Sequence, residues 1–203
     1  MDKNNSLLTI IAIIAVGLAL TNLGITINKV GDIREITGFA TAGGTANLSI
    51  ITLASVSFNV SNIDWGAGSV DEGPSFATMD SEGAVIDGNW TAVSQGLMLR
   101  NDGNCNVTFT LTGSNVAASF IGGTSPAYDI KLTDNETGAC ASGLNSLTSY
   151  TNVTGPGSPQ TACTNMSFED SRDALDIDVN ITIPEDALSG AKGSVLTATA
   201  NCL

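Results

Sequence analysis

Hydrophobic and polar positions follow two different rules along this chain of 203 residues. From Leu7 to Ile27 nearly every side chain is apolar, and no charge occurs from Asn4 through Asn28. As one helix that stretch rises roughly 30 Å, the thickness of a bilayer's hydrocarbon core. Leu20, Leu23, Ile27, Val30 and Arg34 then follow at spacings of 3, 4, 3 and 4, with Lys29, Asp32 and Glu35 elsewhere around the axis. The stripe is heptad-like over about two turns. It fits either a helix that frays out of the bilayer or one that packs against copies of itself. Residues 1–37 are thus expected as a membrane anchor with a short helical stalk, and the Gly-rich residues 38–44 as a flexible joint.

After the joint the period changes to two. Val56, Phe58 and Val60 alternate with Ser57 and Asn59; Cys105, Val107, Phe109 and Leu111 alternate with Asn106, Thr108 and Thr110. Leu175–Ile183 and Val195–Cys202 repeat the pattern, the former with Asp176, Asp178, Asn180 and Thr182 on its polar side. Such alternation marks strands with one face buried and one wet. Thr45–Ile51, Ala84–Trp90 and Ile130–Leu132 are further strand candidates. Asn101-Asp-Gly-Asn104 carries the Asp-Gly signal of a tight hairpin, so the strand at Leu97–Arg100 is expected to pair with the one at Cys105. Seven to nine short strands punctuated by Gly and Pro predict an all-β antiparallel sandwich, jelly-roll or Ig-like, over residues 45–203.

Charge sharpens the division. Three acids and three bases cancel within residues 1–37, so the net charge of −13 belongs wholly to the remainder, whose only bases are Arg100, Lys131, Arg172 and Lys192. A surface this acidic repels nucleic acid, which is bound by neutralising its phosphates. Histidine is absent. The commonest general base and transition-metal ligand is therefore missing, and a Ser-His-Asp site cannot be built. The chain reads as no enzyme.

A secretory signal has an apolar run of about 7–15 residues and a small-x-small cleavage site. Here the run is longer, and Ala40-Thr41-Ala42 lies far beyond it, so the segment reads as an uncleaved signal-anchor. Asn-x-Ser/Thr triplets begin at Asn47, Asn59, Asn89, Asn106, Asn135, Asn152, Asn165 and Asn180, more than composition gives by chance. Read as glycosylation acceptors, they place the carboxy-terminal part outside the cell. Asn4 also begins such a triplet, on the cytoplasmic side of the anchor, and is expected to be bare. Cys105, Cys140, Cys163 and Cys202 form an even set in the same exported part, where disulfides are favoured. Of three connectivities, Cys140–Cys163 would close a Gly/Pro/Ser-rich loop, while Cys105 and Cys202 are both in phase with the core face of their strands. That pairing is expected; no CxxC spacing supports zinc.

Carboxylates cluster at Asp71-Glu72, Asp80/Glu82, Asp134/Glu136 and Glu169–Asp178. They read mainly as a solvated face, with calcium as the one cation such oxygen-rich loops would suit. Trp65 and Trp90 read as core or core-edge residues before a sugar platform.

The anchor, Gly38-Phe-Ala-Thr-Ala, Ala46-Asn-Leu-Ser-Ile, Asn62-Ile-Asp-Trp-Gly, Leu99-Arg-Asn-Asp-Gly-Asn, Gly122-Gly-Thr-Ser-Pro-Ala-Tyr and Thr182-Ile-Pro-Glu-Asp-Ala follow one another in an order that resembles archaeal cell-surface proteins with one membrane helix and a β-sandwich. More distantly the chain is similar to subunits of archaeal surface threads and bacterial biofilm fibres. That likeness implies self-association in which a strand of one subunit completes the sheet of the next. The chain differs from archaeal type IV pilins, lacking their basic-Gly/Ala processing site and the Glu in the apolar stretch. The expectation is a single-pass, membrane-anchored, glycosylated surface protein of structural role, as coat or filament subunit. The alternative is a displayed adhesin or receptor using loops such as Gly122–Pro126 and Cys140–Cys163.

Overall fold

The structure, a computed structural model, describes residues 12–23, 48–144 and 147–203. The chain divides into two units, Met1–Ser49 and Ile50–Leu203. In the first, residues 12–23 form a helix, α1. Its two polar side chains fold back on its own carbonyls: Thr21 Oγ1 donates to Gly17 O (3.1 Å) and Leu18 O (2.9 Å), and Asn22 Nδ2 to Leu18 O (3.1 Å). The long helix expected over the anchor and stalk is therefore described over twelve residues only, a rise of about 18 Å. No helix among the described residues is long and apolar enough to cross a membrane. The rest of the expected anchor, the stalk from Ile27 onward, the joint and Asn47 lie outside the described residues.

The second unit is built from antiparallel strands: β1 (Val56–Val60), β2 (Phe76–Asp80), β3 (Val85–Ile86), β4 (Leu97–Asn101), β5 (Val107–Gly113), β6 (Ala127–Asp134), β7 (Thr151–Asn152), β8 (Gln160–Met166), β9 (Ala174–Pro184) and β10 (Leu196–Cys202), with one short helix, α2 (Ala117–Phe120). They form a seven-stranded sheet and a three-stranded sheet of order β10-β5-β8. In the larger sheet β9 is central. One of its edges pairs with β6 over Leu175–Thr182. The other is shared: β4 takes Ala174–Ile177 and β2 takes Asn180–Pro184.

The alternation expected along β9 is present, with Leu175, Ile177, Val179 and Ile181 buried and Asp176, Asp178 and Asn180 on the outer side. These pack with Leu99, Ile130 and Leu132 of the same sheet and with Val107, Phe109 and Leu111 of β5 in one core. Burial of a large apolar side chain of this kind contributes about 1.5–3 kcal/mol, so this face is the main source of cohesion.

Two local expectations are corrected. The strand ending at Asn101 does not pair with β5: β4 belongs to the larger sheet and β5 to the smaller. Asn101–Cys105 is a crossing between sheets, with the buried Asn101 as its knot. Its Nδ2 donates to Cys105 O and Ser167 O (both 3.0 Å), and its Oδ1 accepts from Gly103 N (3.1 Å). Gly103 serves close approach, since a Cβ there would lie 2.3 Å from Leu53 O. Val60 likewise leaves the face of Val56 and Phe58. A register shift between Phe58 and Val60 sets it opposite Met98, on the outer side of the sheet.

Cys105 is bonded to Cys202 and Cys140 to Cys163. The first bond closes 97 residues and ties the last strand to the crossing where the chain enters the domain. Leu53 N and O bond Asn104 at the same end (2.6 and 3.1 Å), and Leu203 N bonds Asn106 O (3.0 Å).

Loop-closure entropy predicts a larger loss for the Cys105→Ala/Cys202→Ala variant, about 4–5 kcal/mol, than for Cys140→Ala/Cys163→Ala, about 3 kcal/mol. Denaturant unfolding of each variant reads the order directly. Asn101→Ala strands buried carbonyls at the crossing and is expected to cost about 2–3 kcal/mol in the same assay.

Candidate functional site

The point where β4 and β2 meet along β9 leaves a gap in the ladder, and the chain fills it with a side chain. Ser81 N donates to Val179 O (2.9 Å), Val179 N donates to Ser81 Oγ (3.0 Å), and that hydroxyl donates to Asp178 Oδ1 (3.1 Å). Gly96 begins β4's approach because a Cβ there would stand 2.6 Å from Ile177 O. Two strand ends abutting on one neighbour leave a cleft of about 270 Å³ on the outer face. Val60, Ser81, Glu82, Met98, Asn135, Asp176 and Asp178 are among the residues that line it.

Beside the cleft, Lys131 stands opposite Asp178 in the β6–β9 register. Its Nζ lies 2.7 Å from Glu82 Oε2 and 3.7 Å from Asp178 Oδ2, and 5.0 Å from the centre of the Tyr150 ring. Tyr150 OH donates to the same Glu82 oxygen (2.9 Å). The hydrogen bond from Lys131 holds the Glu82 carboxyl below its usual range. Burial pushes Asp178 above its usual range, against the pull of Ser81 and Lys131. Burial also raises Tyr150, with Glu82 adding to it. Asn135 Nδ2 donates to Asp176 Oδ2 (2.9 Å). Every carboxylate of the cleft thus has a partner inside the protein.

The other acid clusters also work on the fold. Asp80 Oδ1 accepts from Glu82 N (3.0 Å) and Ala84 N (2.8 Å) in the turn between β2 and β3. Glu136 Oε2 accepts from Asp173 N (2.8 Å), and the buried Asp173 carboxylate takes Arg100 Nε at 2.8 Å. Among the described residues no group of three or more His, Cys, Asp or Glu is arranged to hold a metal ion, so the calcium expectation finds no geometry there. Both tryptophans are half-buried against the core. Trp65 Nε1 donates to Asp80 O (3.3 Å), and the Trp90 ring is seated against Gly68 and Gly88, where any Cβ would come within 3 Å of it.

The seven triplet asparagines among the described residues do not share one environment. Asn59, Asn89 and Asn152 are exposed, on β1, just after β3 and on β7. Asn106 and Asn165 are half-buried and bonded to each other, Nδ2 to Oδ1 at 2.9 Å. Asn135 is exposed but bonded to Asp176, and Asn180 is half-buried between Asp80 and Asp129 in the sheet register. Of the two loops suggested for binding, Gly122–Pro126 precedes β6 and the Cys140–Cys163 loop follows it, but β7 within the latter runs back along β6, with Asn152 opposite Asp129 and Val153 N donating to Tyr128 O (2.9 Å). Gly122–Pro126 is itself rigidly held, with Thr124 N and Oγ1 both donating to Asp186 (2.8 and 2.7 Å).

The feature that single-residue reading misses is collective. β5, β8 and β10 carry no charged residue, whereas β6 and β9 of the larger sheet carry Asp129, Lys131, Asp134, Asp176 and Asp178. Only the assignment of strands to sheets turns this into a charged face and an uncharged one.

Asp129, Asp173 and Asp178 are all raised, each first by burial. Between the unfolded value of 3.8 and their folded values the native state keeps protons that the unfolded chain has lost, so stability falls as pH rises through that window. Glu82 acts oppositely, its contribution being lost as pH falls below 4.5 through its lowered folded value. The melting temperature is therefore expected to rise as pH falls from neutrality toward the range just above the unfolded value of 3.8, before the loss at Glu82 sets in, with a shallower slope for Asp178→Asn. A calorimetric series over pH checks both.

No protein-family model matches the chain, and no curated protein or solved structure matches it either.

Proposed function

We propose that this is a non-catalytic cell-surface protein of structural role, a glycosylated sandwich held to the membrane by its amino-terminal apolar segment and joined to copies of itself in a coat or filament. The observation that carries the reading is the division of the domain into an acidic seven-stranded sheet and an uncharged three-stranded one. Copies with a net charge of −13 repel one another, so close association needs a neutral contact surface. The two disulfides support an oxidising, extracellular setting. Back-bonded Thr21 and Asn22 suit a helix surrounded by hydrocarbon, where polar groups must be satisfied internally. The likeness to archaeal surface proteins and to thread and biofilm-fibre subunits belongs to the same reading. Leu48, Ile50, Ile51 and Leu53, apolar and exposed, are the stretch that could be offered to a neighbour.

A second reading, a displayed adhesin, is favoured by the Gly122–Pro126 loop, which Asp186 holds in one shape before any partner arrives. Asp186→Ala then abolishes cell or glycan binding, while the structural reading leaves assembly intact in that variant.

Peptide mass spectrometry on protein from the native envelope tests the main reading. A retained peptide covering residues 7–27, together with hexose-bearing peptides at Asn59, Asn89 or Asn152, is the expected result. Bare asparagines and a cytosolic fractionation defeat it.

A further inference from the structure

Among the described residues one buried side-chain polar atom has no hydrogen-bond partner, Thr154 Oγ1. A hydroxyl in that position destabilises the fold, because it gives up its hydrogen bonds to water and gains none. Valine has nearly the same shape without the oxygen and would suit the packing better. The folded domain gives this hydroxyl no task.

Its place in the sequence does. Thr154 is the third residue of the triplet Asn152-Val153-Thr154, and a hydroxyl there is what makes the asparagine an acceptor. At the other triplets the hydroxyl is at home in the fold. Ser61, Thr91 and Thr137 are exposed, and Thr182 is half-buried on the outer side of β9. Thr108 Oγ1 donates to Thr164 O (3.0 Å), and Ser167 Oγ accepts from Glu169 N (3.0 Å).

The backbone of the Asn152 triplet is held as well. Val153 N donates to Tyr128 O (2.9 Å), and Asn152 O accepts from Gln160 Nε2 (2.9 Å). Thr154 N donates to Gln160 Oε1 (3.3 Å), and Thr154 O accepts from Gly113 N (2.9 Å). Val153 is buried, its Cγ1 filling the space that a Cβ on Gly113 would need (2.5 Å). An enzyme that reads Asn152 and Thr154 together cannot reach the hydroxyl without pulling the segment off β6. The Asn152 side chain, by contrast, is exposed, so a sugar attached earlier projects into solvent once the strand docks.

We propose that Asn152 is glycosylated on the unfolded chain, and that Thr154 keeps its hydroxyl for that step. In it, Asn152 Nδ2 attacks C1 of a sugar carried on a lipid-linked phosphate. The Nδ2–C1 bond forms and the bond from C1 to the phosphate oxygen breaks. The phosphate leaves with the electron pair, and one amide proton passes to a base of the transferase. Folding then buries the hydroxyl and leaves the sugar on β7. Asn59 and Asn89 differ, since asparagine and hydroxyl of both triplets stay exposed in the folded domain. The inference rests on the surface-glycoprotein reading and adds an order of events to it.

The test expresses the full-length chain in the envelope, with Thr154→Val, Thr154→Ser and Asn152→Gln made separately. Glycopeptide mass spectrometry and thermal unfolding are the readouts, and intact mass confirms both disulfides throughout. Hexose at Asn152 is expected in wild type and Thr154→Ser, and absent from Thr154→Val. Thr154→Val is expected to melt about 2–4 °C above Asn152→Gln, a control equally bare at that position. In a second arm, bare wild-type chain is given to envelope membranes holding the lipid-linked donor, either folded or reduced and unfolded. Only the unfolded chain is expected to gain hexose at Asn152. Hexose there in Thr154→Val, a Thr154→Val that melts no higher than Asn152→Gln, or equal modification of the folded chain overturns the proposal. Hexose at Asn59 or Asn89 with Asn152 bare in wild type overturns it alone, whereas bare asparagines throughout overturn the surface-glycoprotein reading as well.

Discussion

The domain depends on one strand being longer than its neighbours. β9 runs eleven residues, and neither β2 nor β4, five residues each, can cover its second edge alone. The two abut along it, and the unpaired peptide between them has to be satisfied because an orphaned buried N–H or C=O costs about as much as a lost hydrogen bond. Ser81 supplies both groups, its backbone N–H to Val179 O and its hydroxyl oxygen to Val179 N–H, and its hydroxyl donates a hydrogen bond to Asp178. A structural repair therefore creates the cleft and its raised carboxyl. The ion pairs around it follow from the same repair: Lys131 faces Asp178 across the ladder and is close enough to hold Glu82.

Charge is distributed over faces rather than gathered in one cluster. Acids on and beside the larger sheet have oxygens engaged by Lys131, Ser81, Asn135 and Arg100. The smaller sheet offers Thr and Asn without charge. Electrostatic repulsion between copies acts over about 8–10 Å at moderate salt, so the uncharged sheet is where two such domains approach with least opposition.

The two disulfides act on different scales. Cys140–Cys163 restrains a loop beside β8, whereas Cys105–Cys202 ties the last strand to the inter-sheet crossing at Asn101. Strand β10 is thereby fixed at its end by a covalent bond and along its length by β5.

Periodicity along the chain determined the antiparallel β class, the inward face of β9 and β5, and the phase that brings Cys105 and Cys202 to the core side, because these depend only on side chains alternating about a strand. β2 and β8 were not legible. Phe76–Asp80 has few β-branched residues, and the register shifts between β5 and β8 break the alternation that would have shown Gln160–Met166. The Asp-Gly signal at 102–103 misled because a tight turn and an inter-sheet crossing use the same residue types, and the choice was made by Asn101, whose partners at 166 and 167 are distant in sequence. Sequence alone likewise could not gather charge onto one sheet or place β10 beside β5. Those are properties of strand order, and strand order is decided by long-range pairing energies that no local pattern contains.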